Sequence, residues 1–247
     1  MMQGKKKSDI VLVTWNRPKL TELTISTLVA NTTSPFRLIV VDNGSEKPLV
    51  DKLRKWQDMG IIGILRLLDK NVGLEPARNL GLQMVESKYF VCTDNDILPE
   101  KPDENGDWLS KLKDLMKKYV DFGAISARTQ IMIGTGNIFD GHEDEDIVEF
   151  SHPGGSLRIM KSEIVKRVGG WRDDVHSRGQ EEMYICGKLR EHGYRAGFAT
   201  HVNCYHMFGK DKNWGYGKLP PEKHGHRPIW HPSIQNGDDI NDINKYT

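Results

Sequence analysis

Few cysteines, no long apolar run and no excess of either charge mark this chain, and each shortage removes a class of protein. Cys92, Cys186 and Cys204 are the 3 cysteines in 247 residues. They form no CxxC pair and leave an odd one over, which argues against a disulfide framework and for a reducing compartment. No stretch approaches the ~20 apolar residues of a membrane-spanning helix. After Lys5, Lys6 and Lys7, the run Ile10–Val13 is too short for the apolar core of a signal peptide. With 35 Lys+Arg against 34 Asp+Glu, the chain lacks the basic footprint of a protein that grips a nucleic-acid backbone. No internal repeat is present. The expected location is cytoplasmic.

What is present fits a globular enzyme-sized domain. Hydrophobic residues make up 37%, and 24 Gly bring the apolar share close to that of ordinary domains. The length suits one α/β domain with an elaborated end. Ile10–Thr14, Leu38–Val41, Ile61–Leu68 and Tyr89–Thr93 are apolar runs of strand length. Between them lie helical patterns over Leu20–Asn31, Leu49–Met59 and Glu75–Val85. Alternation of this kind predicts a mostly parallel sheet flanked by helices. The second half predicts a helix over Trp108–Tyr119 and a strand over Gly123–Ala127. A solvated acidic loop is expected over His142–Glu149, then a strand over Gly154–Met160 and a short helix over Ser162–Val168. A helix over Glu181–His192 and a strand over Tyr194–Ala199 follow. Residues 209–247, rich in Gly, Pro, His and Asn, read as an irregular tail.

In open α/β sheets, ligands sit beyond the carboxyl ends of the strands. Asp42, Asp94 and Asp96 all fall there. In extended chain, residues i and i+2 face the same side, so Asp94 and Asp96 are expected to present both carboxylates to one ligand. Two hard oxygen donors suit Mn²⁺ or Mg²⁺ together with substrate phosphates. The plainer reading is that these acids cap a turn. Asp42-Asn-Gly-Ser45 is turn chemistry as well, or a place where Asp42 meets a nucleobase or ribose. Asn71-Val-Gly73 and Arg78 are ordinary when taken singly.

As an ordered set these fragments are more specific. Thr14-Trp-Asn-Arg-Pro18, Val41-Asp-Asn-Gly-Ser45, Asn71-Val-Gly-Leu-Glu-Pro-Ala-Arg-Asn-Leu-Gly81 and Thr93-Asp-Asn-Asp96 resemble the successive signatures of family-2 glycosyltransferases with the GT-A fold. Gly154-Gly-Ser156, Val168-Gly-Gly-Trp171 and Gly179-Gln-Glu-Glu182 continue the resemblance, which spans residues 8 to 206. It implies a GT-A nucleotide-diphospho-sugar transferase fold and an inverting, metal-dependent transfer from a nucleotide-diphosphate sugar, on family frequency a UDP-sugar. It implies that Thr14, Asn16, Arg17, Asp42, Asn71, Arg78, Asp94 and Asn95 serve the donor nucleotide. Asp94-Asn95-Asp96 matches the DxD motif, with Asp96 on the Mn²⁺ or Mg²⁺ ion and Asp94 toward ribose, sugar or metal. His206 is expected to complete the metal site, ahead of His201. Glu182 falls on the catalytic-base position, with Glu181 as its substitute.

Three assignments stay double. Gly154 and Gly155 either let a backbone approach the acceptor or sugar, or form a turn. Trp171 either stacks on an acceptor sugar or plugs the core. His224, His226 and His231 read as a solvated tail sooner than a zinc site. The expected organisation is a single catalytic domain over 1–208. Residues 8–100 would bind the nucleotide, 101–208 would bind the acceptor, and the tail would follow. The chain has neither a QxxRW motif nor membrane helices, so transfer of one sugar per encounter is expected. The acceptor itself is not readable. The rival readings are a sugar nucleotidyltransferase, disfavoured because Thr14–Pro18 is no Gly-rich basic loop, and a non-catalytic nucleotide-sugar-binding module of the same fold.

Overall fold

Apolar β-branched runs bounded by turn residues produce one continuous sheet. The computed structural model describes residues 7–129, 146–172 and 181–207. Strands β1 (Ser8–Thr14), β2 (Phe36–Asp42), β3 (Ile64–Leu67) and β4 (Tyr89–Asp94) lie side by side in the order β3-β2-β1-β4, all parallel. Every residue of β1 is buried, which is why Ile10-Val-Leu-Val13 is apolar on both faces. The crossovers are α1 (Pro18–Ala30), α2 (Lys47–Asp58) and α3 (Leu74–Gln83). Pro18 opens α1, where its missing N–H costs nothing.

The sheet continues into the second half, where pairing is mostly antiparallel. It gains β5 (Ile97–Pro99), β6 (Phe122–Thr129), β7 (Ile147–Glu149), β8 (Leu157–Lys161) and β9 (Arg195–His206). The full order is β3-β2-β1-β4-β8-β6-β9-β5, with β7 also on β9. Strand β8 runs antiparallel to β4 and β6, β9 parallel to β6, and β5 and β7 antiparallel to β9. Helices α4 (Trp108–Lys118), α5 (Ser162–Arg167) and α6 (Glu181–Glu191) cover the sheet. Asp107 caps α4 by accepting from the Ser110 N–H at 2.7 Å.

Several boundaries differ from the sequence reading. Ile147–Glu149 is strand where a loop is expected, because Ile147 and Val148 are buried against β9. Residues 142–145 lie outside the described residues. Gly154–Ser156 precedes β8 instead of belonging to it. β9 runs on to His206, and β5 has no counterpart in the sequence reading. All 3 cysteines are buried free thiols. No helix among the described residues is long and apolar enough to cross a membrane. The tail at 209–247, with His224, His226 and His231, lies outside the described residues.

Candidate active site

The carboxyl ends of β1, β2 and β4 meet where the acidic side chains gather. β4 stops at Asp94, and Asn95-Asp96 turns the chain into β5. The three side chains of this turn have different hydrogen-bond partners, while Asp94 stays close enough to Asp96 and His206 to feel their charge. Asp94 Oδ1 accepts from Arg78 Nη2 at 2.8 Å. Asp96 Oδ2 accepts from Arg17 Nη1 at 3.0 Å, and its Oδ1 stands 3.3 Å from His206 Nε2. Asn95 points inward, donating to Thr14 Oγ1 at 3.1 Å and Thr21 Oγ1 at 3.0 Å. The side chains of Thr14 and Asn95 are therefore spent on a buried network behind the site.

His206 reaches Asp96 through sheet register. Ile97 pairs with His206 across β5 and β9, and the Met207 N–H donates to the Asp96 carbonyl at 2.7 Å. Burial alone would lower the His206 pKa, but the Asp96 carboxylate outweighs it and raises it. His201, the other candidate on β9, is exposed. Among the described residues no set of three or more His, Cys, Asp or Glu side chains is arranged to hold a metal ion. The expected trio is thus reduced to a pair, Asp96 and His206, with Asp94 turned to Arg78. A carboxylate and an imidazole on one point still fit a divalent cation, since such ions commonly take one or two carboxylates and fill the remaining positions with water and phosphate oxygens.

The β1–α1 loop holds an unusual backbone. Asn16 and Arg17 have φ of 52° and 57°, the left-handed region that non-glycine residues seldom enter. Hydrogen bonds fix them there. The Asn16 N–H donates to Ser45 Oγ at 2.7 Å, and Asn16 Oδ1 accepts from the Glu46 N–H at 2.9 Å. Asp42 closes this end of β2. Its Oδ2 accepts from the Ser45 N–H at 3.0 Å, whereas its buried Oδ1 has no partner. Burial, only partly offset by Ser45, pushes the Asp42 pKa up. Asn71 Oδ1 accepts from Asn43 Nδ2 at 3.0 Å and from the Gly73 N–H at 2.9 Å. Asn71 thereby latches the turn that starts α3 and carries Arg78.

Under the first turn of α6 lies a cluster that the sequence reading only half anticipates. Arg78 and Arg158 are both fully buried side chains. A Cβ on Gly155 would meet Glu182 Oε1 at 2.5 Å, with Arg158 Nη2 and Arg78 Nη2 each at 3.5 Å. Gly155 is therefore a notch that three charged groups share, and the glycine is required for the close approach rather than for a turn. Gly154 has open space where its Cβ would be. Nε and Nη1 of Arg78, Nε and Nη2 of Arg158 and Oε2 of Glu181 are buried without a hydrogen-bond partner. Burial acts to lower the Arg78 pKa, but Asp94 and the neighbouring acids prevail and raise it. Burial, then repulsion from Glu182, raises the Glu181 pKa. Trp171 resolves to the core plug. It is 2% exposed, its backbone is clamped by the Asn79 amide, and its ring lies 5.9 Å from the Arg78 guanidinium carbon.

Arg158 and Thr21 are site-shaping residues that the sequence reading does not single out, and Asn43 and Ser45 enter it only as members of a motif. Only Arg158 carried a local signal, a cation inside the apolar run Leu-Arg-Ile-Met.

Strand ends carrying carboxylates, with an imidazole returned to them by a late strand, define a GT-A nucleotide-sugar transferase architecture. Solved structures show the same fold. A mannosyltransferase from Pyrobaculum calidifontis in complex with GDP-Man and Mn²⁺ superposes with a TM-score of 0.69 at 21% identity, covering 85% of this chain and 59% of that one. TarS from S. aureus, residues 1–349 with UDP-GlcNAc, gives 0.67 at 16% identity, covering 88% and 63%. Glycosyl transferase family 2 matches residues 9–170, and the chain belongs to that family. Among curated relatives, the hyaluronan synthase of Pasteurella multocida is 32% identical over 92 residues, 37% of this chain. Glycosyltransferase GlyA of Streptococcus pneumoniae is 24% identical over 206 residues, 76% of this chain. The matches span only 10% and 27% of those relatives' own lengths.

Proposed function

We propose that this chain is a metal-dependent, inverting glycosyltransferase. It moves one sugar from a nucleoside-diphosphate donor, a UDP-sugar, to an acceptor hydroxyl. The observation that carries the reading is the meeting of Asp96 and His206 at the strand ends, two residues from the Asp94 that pairs with Arg78. In this reading Asp42 offers its unpartnered Oδ1 to the base or ribose. The Thr14–Arg17 segment supplies backbone contacts, and Asn71 fixes the turn beside them. Asp96 and His206 hold Mn²⁺ or Mg²⁺, with Asp94 and Arg78 against the sugar or diphosphate. A divalent ion at this place supplies Lewis-acid stabilisation of the leaving diphosphate.

The protein's own part is proton transfer and positioning. An acceptor hydroxyl is a weak nucleophile, and a placed carboxylate that takes its proton gives ~10²–10⁴-fold. Glu182 is that base, and Oε1 is the oxygen presented over Gly155. Attack from the side opposite the leaving diphosphate inverts the anomeric carbon. Gly154 and Gly155 keep backbone and side chain clear of the sugar. The solved neighbours carry GDP-Man in one case and UDP-GlcNAc in another, so the uridine assignment rests on family frequency and on Asp42.

Calorimetry of UDP, GDP and CDP, each with Mn²⁺ and again with EDTA, tests the reading. Binding of UDP that requires the metal is the expected result. Metal-independent binding, or none, overturns it and leaves the non-catalytic module.

A further inference from the structure

We infer that Arg17 is the resident countercharge of Asp96 in the metal-free protein, and that it competes with a divalent cation for this carboxylate. The inference rests on the metal reading above and adds a residue that sets how strongly metal and nucleotide depend on each other.

Asp96 is almost fully buried, and an uncompensated carboxylate there would be costly. Its two oxygens are both engaged, Oδ2 by Arg17 Nη1 at 3.0 Å and Oδ1 by His206 Nε2 at 3.3 Å. A divalent ion seated between Asp96 and His206 would sit within a few ångströms of the guanidinium, where two cations repel strongly. The ion would take the Oδ1 side while Arg17 holds Oδ2, so the two cations draw on the charge of one carboxylate. Arg17 is also delivered with unusual determination. Two successive left-handed residues, Asn16 and Arg17, aim it, a backbone that residues other than glycine seldom adopt. Ser45 and Glu46 hold the loop in that shape. Its side chain stays 20% exposed, so it has room to swing toward solvent and toward an incoming ligand.

The consequence is thermodynamic. Metal alone competes with Arg17 for that carboxylate, and so binds poorly. A nucleoside diphosphate brings negative charge that offers the guanidinium a new partner, and the metal then binds better. Linkage requires that the metal raise nucleotide affinity by the same factor. Arg17 enlarges that factor.

The test is Mn²⁺ affinity, read by electron paramagnetic resonance of free Mn²⁺, with and without UDP. It compares wild type, Arg17→Asn and Arg17→Lys. Asn tolerates the left-handed backbone and removes the charge, and Lys keeps the charge. Arg17→Asn is expected to bind Mn²⁺ about tenfold or more tightly without nucleotide, on the scale of a charge-assisted hydrogen bond. The enhancement by UDP should shrink by a similar factor, with Arg17→Lys closer to wild type. Should wild type bind Mn²⁺ and Arg17→Asn show the same affinity and the same UDP enhancement, the countercharge role is wrong while the metal site stands. If no form binds Mn²⁺ with or without nucleotide, the metal reading falls and takes this inference with it. Melting curves of the metal-free variants confirm that they are folded, and Arg17→Lys serves as the second variant if Arg17→Asn is not.

Discussion

Replacing Gly155 by Ala adds one methyl group at the point where three charges converge. The backbone φ of Gly155 is not in the left-handed region, so alanine fits the main chain. The new Cβ would lie 2.5 Å from Glu182 Oε1, and that oxygen must retreat about 1 Å to ordinary contact, a misplacement that costs on the order of 10²-fold when it befalls a catalytic group. Retreat toward either arginine is limited, because Arg158 Nη2 and Arg78 Nη2 stand 3.5 Å from the same point. The moving atom is the end of a flexible side chain, so the fold should lose less than about 1 kcal/mol. Gly154→Ala is the matched control, with nothing within 4 Å of its Cβ. The assay is nucleoside-diphosphate release from the donor that calorimetry selects, alongside nucleotide affinity and the melting temperature. Gly155→Ala should lose turnover about 10²-fold and leave nucleotide affinity intact. Equal turnover in the two alanine variants would refute the placement of Glu182 as the reacting carboxylate.

Three further outcomes are expected. Glu182→Gln should keep nucleotide affinity and lose ~10²–10⁴-fold in turnover, while Glu181→Gln loses less than tenfold; the reverse order moves the base to Glu181. Asp94→Asn strips the buried Arg78 of its ion-pair partner, which should cost about 3 kcal/mol and lower the melting temperature by about 10 °C; a fall under 2 °C, about a fifth of that expectation, would contradict it. Asp9 is held below the usual carboxylate range. Burial opposes this, but Arg37 Nε at 2.7 Å and the N–H groups of Glu86 and Ser87 outweigh it. A pKa depressed by folding gives stability that is present above the unfolded-state value and lost as pH falls through the folded one. Urea unfolding from pH 6 to pH 2 should therefore show a shallower acid loss in Asp9→Asn than in wild type, and parallel curves would exclude the linkage.

The parallel half of the fold was legible because its signals are local. Ile10–Val13 and Leu38–Val41 are buried on both faces, and the loop chemistry of Asn16–Pro18 and Asp42–Ser45 stops them where the site begins. The second half was less legible because long-range pairing decides it. Ile97-Leu-Pro99 is too short to signal a strand and forms one only because His206, Tyr205 and Cys204 pair with it. Position and resemblance singled out Asp42, Asp94, Asp96 and Arg78 as candidates, and the structure brings their strand ends and α3 together. The partners of their side chains were not legible, since Arg78, Arg17 and His206 reach them from distant parts of the chain. Arg158 escaped for a related reason. Nothing local says that a charged residue in an apolar strand will face a second arginine from another element.

The two halves of the sheet are sewn together twice. β8 from the second half lies on β4 from the first, and β9 returns from the far end to hold β5 directly behind Asp96. Among the described residues no break divides that sheet into two parts. Within them, the parts that would hold nucleotide and acceptor share strand pairs on both sides of the Asp94–Asp96 turn. Opening for substrates and closing against water then falls to side chains and connecting segments. Exchanging the acceptor half for that of a relative would require transplanting the seam, with β5 and β9 moved as a pair.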